Sequence, residues 1–309
     1  MTEKGTTVRV GTRGSALAVR QTEWVAGELR RRRPGLSVEI VRIRTSGDHL
    51  LDRTLSEIGG KGLFVKEIEE ALLGGRIDLA VHSMKDMPAS LASGLTFAAV
   101  PAREDPSDVL IARSTGGLAA LPRGARIGTA SLRRAAFVYH ARPDVEVTPL
   151  RGNVDTRISR WRTGDVDALV LAAAGLHRLG LRLPEARALA TAEMLPAIGQ
   201  GALAIEARLD GPWLEVGALL DDAEARVAIL AERAFLQVMG GDCTMPIAAH
   251  AIVSGQSVEL DAAIAEPSGR RLIRGSRRGG REAAEALGAT LASEILERGG
   301  REIVAGLRR

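Results

Sequence analysis

Cysteine, lysine, aromatic residues and long apolar runs are all scarce in this chain of 309 residues. The single cysteine, Cys243, excludes an intrachain disulfide. Its thiol is therefore a packed core group, a nucleophile or an attachment point. The surrounding residues, GGDCTMP, do not by themselves decide between these three uses.

No apolar run approaches the roughly 20 residues that a membrane-spanning helix requires. The polar beginning, MTEKGTTVRV, also lacks the apolar region of a secretory signal peptide. We therefore expect a cytoplasmic protein with no membrane partner. Because 45% of the residues are hydrophobic, the chain can bury a sizeable core, and its length favours two or three domains.

Aromatic residues make up 3% of the chain, which leaves few side chains on which nucleic-acid bases could stack. A nucleic-acid partner is therefore the weakest alternative, although the net charge is +4. Only four of the 42 basic residues are lysines. Arginine, which supplies the other cations, suits bidentate binding of carboxylate or phosphate. The five histidines have no metal-ligand spacing, so no metal site is expected.

Short β-branched runs alternate with longer amphipathic segments, which predicts an α/β protein. The segments RVGTRGSALAVRQ (9–21) and RIGTASLRRAAFV (126–138) both read as a strand, a Gly-Thr turn and a helix that begins at serine. This partial repeat predicts two similar lobes, each with a helix N-terminus that favours anions in a cleft. From about Asp222, a long helix, the cysteine loop, two strands and a closing helix predict a smaller third domain.

Arginines recur beside these turns and at other strand ends, where open α/β sheets bind ligands. We expect them to bind a polyanion, and a surface salt bridge is the alternative for any one of them. The six arginines at these positions are Arg13, Arg133, Arg134, Arg151, Arg157 and Arg178.

The segment VHSMKDMP contains an acid–base candidate, Asp86, next to Lys85. An aspartate that neighbouring cations keep ionised can exchange protons with an amine or a cationic intermediate. An ordinary surface pair of lysine and aspartate is the alternative.

Eight motifs occur in a characteristic order: VGTRGSALA, GGKGLFVKEIE, VHSMKDMP, IGTASLRR, LRGNVDTR, AAAGLHRLG, LPAIGQGALAIE and GGDCTMPIAAHA. In these motifs, and over nearly the whole chain up to about residue 265, the chain resembles the porphobilinogen deaminases, also called hydroxymethylbilane synthases. The resemblance implies a transferase of heme and other porphyrin (tetrapyrrole) biosynthesis. Such an enzyme joins four molecules of its substrate, porphobilinogen, with loss of ammonia, into hydroxymethylbilane on a covalent dipyrromethane primer. We expect it to be a monomer.

The implied fold has two lobes like those of type II periplasmic binding proteins and a smaller α+β C-terminal domain that carries the cofactor. The expected boundaries are 1–101 with 198–220 for the first lobe, 102–197 for the second lobe, and 221–309 for the C-terminal domain.

The resemblance also implies roles for the residues that match the family's motifs. Cys243 would carry the dipyrromethane through a thioether, and Asp86 would be the catalytic aspartate. The implied cofactor-binding residues are Lys85, Ser83, Thr129, Ser131, Arg133 and Arg134. The implied substrate-binding residues are Arg13, Ser15, Arg151, Arg157, Arg178 and Lys61, the last in a loop over the cleft.

A non-catalytic anion-binding protein with the same two lobes is the alternative from a different functional class. It would explain the glycine turns and the arginines. It would not require the cysteine loop GGDC.

Overall fold

The computed structural model describes residues 7–46, 65–114, 116–240 and 245–307. Two of the predicted site residues, Lys61 and Cys243, lie outside these ranges. The chain forms two compact units, Met1–Arg103 with Ala202–Arg226 and Glu104–Gly201 with Val227–Arg309. The division into three domains that the sequence suggests stays a prediction.

The described strands and helices alternate through most of the chain. The strands are β1 (Thr7–Arg13), β2 (Ser37–Ile43), β3 (Leu79–Ser83), β4 (Leu95–Ala99), β5 (Asp108–Ala112), β6 (Arg126–Gly128), β7 (Glu146–Thr148), β8 (Ala168–Ala172), β9 (Ala186–Ala188), β10 (Leu203–Arg208), β11 (Ile247–Ser254), β12 (Ser257–Ala265) and β13 (Leu272–Gly280). The helices are α1 (Ala16–Arg32), α2 (Lys66–Leu73), α3 (Leu132–Ala141), α4 (Val154–Arg162), α5 (Ala173–Arg178), α6 (Leu214–Ala218), α7 (Ala223–Met239), α8 (Ala284–Ile295) and α9 (Arg301–Leu307).

Each unit contains a five-stranded sheet, and the two sheets have the same plan. The strand order is β2-β1-β3-β10-β4 in the first unit and β7-β6-β8-β5-β9 in the second. In each sheet the first three strands are parallel, and the fourth is antiparallel to both of its neighbours. The predicted α/β class is therefore confirmed: two α/β lobes of matching topology, with a smaller C-terminal sheet.

An equivalent arginine–aspartate pair joins two neighbouring strands in each sheet. The backbone N–H of Arg9 donates to Asp78 Oδ2 at 2.8 Å, and the N–H of Asp78 returns a 2.8 Å bond to the carbonyl oxygen of Arg9. Arg126 and Asp167 exchange the same two bonds, also at 2.8 Å. The partial sequence repeat thus extends to a repeated contact that joins β1 to β3 in one sheet and β6 to β8 in the other.

Helices cover both faces of the first sheet. Val25 and Leu29 of α1 lie in one apolar cluster with Val81, whereas Ile68 of α2 lies in another with Ala80. Successive side chains of a strand point to opposite faces, so β3 contributes to both clusters. No helix in the described ranges is both long and apolar enough to cross a membrane.

The C-terminal strands form an antiparallel sheet in the order β11-β12-β13. The sequence predicts two strands here, and β13 is an additional one. Its sequence, LIRGSRRGG, lacks the alternation of apolar and polar residues that indicates a strand. Ala248 of β11 and Ala263 of β12 share a core cluster with Phe137 and Val138 of α3. The C-terminal sheet is therefore packed on α3, the helix of the second lobe's repeat motif.

Gly201, the last residue before the chain returns to the first unit, lies close to the backbone of Glu104. Substitution of Gly201 tests this close contact. Gly201 has a φ of +86°, and a Cβ at this position would overlap the backbone carbonyl of Glu104. We expect Gly201→Ala to cost at least the roughly 1–2 kcal/mol of a left-handed alanine, with more from the overlap. Gly124→Ala is the control, since Gly124 also has a positive φ, +73°, but faces open space. Equal thermal midpoints for the two variants would contradict this account.

Candidate active site

The first unit brings four predicted site residues to one cavity of about 60 Å³. Arg13 ends β1, Ser15 precedes α1, Ser83 ends β3, and Asp86 lies in the short 3₁₀ turn Met84–Asp86. All four line the cavity. Ser15 also caps α1, because its Oγ accepts a 3.3 Å hydrogen bond from the N–H of Ala18.

Two buried methionines hold the turn that carries Asp86. Met84 is 2% exposed and Met87 is 5% exposed, whereas Lys85 and Asp86 between them are half-buried. The N–H of Met84 donates to the carbonyl oxygen of Ala202 at 3.0 Å, and the N–H of Met87 donates to that of Met84 at 3.1 Å. The motif SMKDMP therefore anchors its apolar residues and leaves the carboxylate accessible at the cavity.

Gln21 and His82 also line this cavity, although neither was expected there from the sequence. Gln21 Nε2 lies 3.0 Å from Ser83 Oγ, so it fixes the end of β3. Gln21 lies four residues after Leu17 and four before Val25, so its place on the apolar face of α1 is the sequence signal that could have found it.

A buried group of ionisable side chains lies behind the end of β3. His82 Nε2 is 3.1 Å from Glu206 Oε2, and these side chains are 3% and 0% exposed. Burial and then the nearby charge of Glu206 raise the pKa of Glu69 above its usual value. Motif inspection cannot find this group because its members come from α2, β3 and β10.

Replacement of Glu69 by glutamine tests this buried group. The raised pKa means that folding favours the protonated acid, a contribution present below pH 4.5 and lost as the pH rises through the raised value. Glu69→Gln cannot ionise and still offers an oxygen to the N–H of Ala92, which now bonds Glu69 at 3.4 Å. We expect the variant to unfold at a higher temperature than the wild type at pH 7. The gain in free energy of unfolding should be less than about 1 kcal/mol, because solvent screens the half-buried carboxylate of Glu69.

The stability difference should shrink as the pH is lowered towards 4. The control is Glu70→Gln, on the exposed side of the same helix. A lower thermal midpoint for Glu69→Gln than for the wild type at pH 7 would contradict the assignment.

In the second unit, two predicted hydroxyls form the start of α3. Ser131 Oγ accepts a 3.4 Å hydrogen bond from the N–H of Arg134, and Thr129 Oγ1 accepts a 3.1 Å bond from the N–H of Ser131. These contacts organise the turn GTAS and fix where the side chains of Arg133 and Arg134 leave the helix.

Arg133 and Arg134 are buried, and both pair with Asp108. Arg133 Nη1 is 2.8 Å from Asp108 Oδ2, and Arg134 Nη2 is 2.7 Å from Oδ1. Burial alone would raise the pKa of Asp108, but the charges of the two arginines outweigh it and lower that pKa to about 2. Burial lowers the pKa of Arg134, against the attraction of Asp108. No sequence motif points to Asp108, which lies far from both arginines in the chain.

The segment 195–201 connects three of the predicted arginines. Arg133 Nη1 donates to the carbonyl oxygen of Leu195 at 2.7 Å, and Arg178 Nη2 donates to that of Gly201 at 2.7 Å. Gln200 Nε2 donates to Asp108 Oδ1 at 3.1 Å, which ties the segment to Arg134 as well. Burial lowers the pKa of Arg178. The motif LPAIGQG is thus a scaffold for the arginines.

Glu232 of α7 joins the same segment to the C-terminal sheet. Its carboxylate accepts the N–H of Gly199 at 2.7 Å and the N–H of Ala251 at 2.8 Å, and it is completely buried. The sequence gives no motif for this contact either.

Arg151 and Arg157 lie on either side of the start of α4. Both are half-buried, and Gly152 between them has a φ of +99°. Within the described ranges, no group of three or more cysteine, histidine, aspartate and glutamate residues is placed to hold a metal ion.

The comparisons with known proteins cover nearly the whole chain. Residues 8–215 match the family described as "Porphobilinogen deaminase, dipyromethane cofactor binding domain", and residues 227–297 match "Porphobilinogen deaminase, C-terminal domain".

Two curated relatives named "Porphobilinogen deaminase" are each 50% identical over 301 residues. The protein from Syntrophotalea carbinolica aligns over 97% of this chain and 96% of its own length. The protein from Roseiflexus sp. (strain RS-1) aligns over 97% and 99%. Among solved structures, the periplasmic aliphatic sulphonate binding protein SsuA from Escherichia coli is similar, with a TM-score of 0.38 and 17% identity over 75% of this chain and 70% of that one.

Proposed function

This chain belongs to the porphobilinogen deaminase family, and we propose that it joins four porphobilinogen molecules, with loss of ammonia, into the linear tetrapyrrole hydroxymethylbilane. The match of residues 8–215 to the cofactor-binding domain of that family supports the proposal most directly. The cavity that contains Asp86 and the buried arginines of the second unit add chemical support.

The residues of the second unit fit a dipyrromethane, whose two pyrrole rings each carry an acetate and a propionate. Arg133 and Arg134 together have two positive charges, and Asp108 has one negative charge. The Nε atom of Arg133 is buried and bonds no described residue, so it is available for a carboxylate. Arg133, Arg134, Thr129 and Ser131 would hold the cofactor's carboxylates through cationic and hydroxyl donors.

Cys243 would attach the cofactor through a thioether, so that the growing chain cannot diffuse away between additions. When bound, the cofactor supplies the free pyrrole carbon to which the first substrate is joined. Lys85 and Ser83, on either side of Met84, would add donors close to the catalytic carboxylate.

Asp86 would handle the charge and the protons of the reaction. Loss of ammonia from the substrate's aminomethyl group leaves a cation, which a nearby carboxylate stabilises. The joined pyrrole carbon must then lose a proton, and an ionised aspartate can accept it. Arg13 and Ser15, which line the same cavity, would hold carboxylates of a substrate ring.

The remaining predicted arginines would bind the substrate and the lengthening chain, whose carboxylates increase by two with each addition. These residues are Arg151, Arg157 and Arg178. Lys61 would act from the loop that contains GGKG. We further propose that the enzyme is a cytoplasmic monomer.

The anchor proposal predicts the mass of the purified protein. Wild-type protein should exceed the mass of its chain by two pyrrole units. Cys243→Ser should be folded, should have the mass of the bare chain and should form no product, because a serine hydroxyl is a much weaker nucleophile than a thiolate. Intact-protein mass and circular dichroism check both expectations. Wild-type protein that has only its chain mass and still converts porphobilinogen would contradict the anchor.

The role of Asp86 predicts a loss of chemistry without loss of the fold. Asp86→Asn keeps the size of the side chain but removes the charge and the proton acceptor. We expect product formation to fall by at least roughly 100-fold, as is typical when a positioned acid–base group is lost. Asp210→Asn, an exposed aspartate in the same unit, is the control. If Asp86→Asn with attached cofactor turns over within a few-fold of wild type, another residue carries the chemistry.

A further inference from the structure

Asp108 is a buried carboxylate that takes no part in the proton transfers proposed above. It is the first residue of β5, and it is completely buried. Its Oδ1 accepts from Arg134 and from Gln200, and its Oδ2 pairs with Arg133. Two hydrogen bonds at Oδ1 and the ion pair at Oδ2, which accepts no hydrogen bond from a described residue, hold this carboxylate in place, so it can orient the two guanidiniums in turn.

The two arginines use their nitrogens differently. Arg134 directs Nε and Nη2 to Asp108 Oδ1, at 2.8 and 2.7 Å, and Nη1 to the carbonyl oxygen of Val170, at 3.1 Å. All three of its guanidinium nitrogens therefore have partners. Arg133 uses Nη1 for both Asp108 and Leu195, while its Nε is buried and bonds no described residue.

The charges of this cluster do not balance. Two buried guanidiniums face one carboxylate, and an unpaired buried charge is costly. A second carboxylate at Arg133 would complete the pairing. Asp108 thus has two effects: it lowers the charge of the site from two to one, and it leaves the unused donor on Arg133 rather than on Arg134.

We propose that Asp108 is a positioning residue for attachment of the dipyrromethane. It holds Arg134 in place and turns Arg133 so that its Nε–H meets a carboxylate of the cofactor. This inference rests on the proposed function, since it assigns a role in the loading of that function's cofactor.

The test compares cofactor loading in two protein variants. Each variant replaces a buried aspartate that pairs with two arginines. Asp108→Asn is compared with Asp78→Asn, because Asp78 is also buried and lies between Arg9 and Arg208, at 2.9 and 3.7 Å. Apoprotein of each variant is incubated with porphobilinogen below its thermal midpoint, and attached mass is followed with time. We expect Asp108→Asn to load roughly 10- to 100-fold more slowly than wild type, as for other residues that orient a binding group. Asp78→Asn should lose stability but load within about twofold of wild type.

The outcomes separate this inference from the proposed function. Wild-type apoprotein that gains no mass from porphobilinogen would overturn the function. Wild-type protein that loads normally, together with Asp108→Asn that loads at the same rate, would overturn only the role of Asp108. Equal slowing in Asp78→Asn and Asp108→Asn would also overturn it, because lost stability would then explain the defect.

A measurement on the wild type covers the case in which Asp108→Asn does not fold. In apoprotein labelled with ¹⁵N-arginine, the Nε–H of Arg134 should exchange slowly with solvent, and that of Arg133 should shift and become protected on loading. Resonances are assigned with Arg133→Lys and Arg134→Lys. An Arg134 Nε–H that exchanges as fast as that of an exposed arginine, or an Arg133 Nε–H unchanged by loading, would overturn the proposal.

Discussion

The pairing of buried guanidiniums with one buried carboxylate is the interaction on which the second unit's site depends. Arg133 and Arg134 would be too costly to bury without Asp108, which stays ionised because the two arginines lower its pKa to about 2. The turn that contains Thr129 and Ser131 fixes the start of the helix that carries the two arginines. The segment 195–201 contacts them through the hydrogen bond from Arg133 to the carbonyl oxygen of Leu195. This arginine cluster therefore depends on several parts of the chain that are distant in sequence.

The repeated plan of the two lobes gives each a strand end followed by a helix start, and the sequence uses the two differently. In the first unit, Arg13 and Ser15 share a cavity with Asp86, a half-buried carboxylate suited to proton transfer. In the second, the equivalent helix start carries two buried arginines that suit carboxylate binding. Glu232 links the arginine scaffold to the C-terminal sheet, because one carboxylate accepts hydrogen bonds from Gly199 and from Ala251.

Much of this arrangement could be predicted from the sequence, because strand–turn–helix motifs place their functional residues locally. The two matching motifs predict both lobes, and VHSMKDMP predicts Asp86 at a strand end. Asp108 and Glu206 could not be found in this way, since each acts through a partner that is distant in the chain. Strand β13 was missed for a different reason: its arginines and glycines carry no alternating pattern, and pairing with β12 alone makes it a strand.

The central claim is that the product grows stepwise on a primer attached to this chain. The most direct measurement is the intact mass of loaded enzyme immediately after mixing with one to four equivalents of porphobilinogen. The account predicts a ladder of up to four discrete additions, each equal to porphobilinogen minus ammonia, that disappears as product is released. A single unchanged mass during active turnover would contradict it, because the growing chain would then not be attached to the protein.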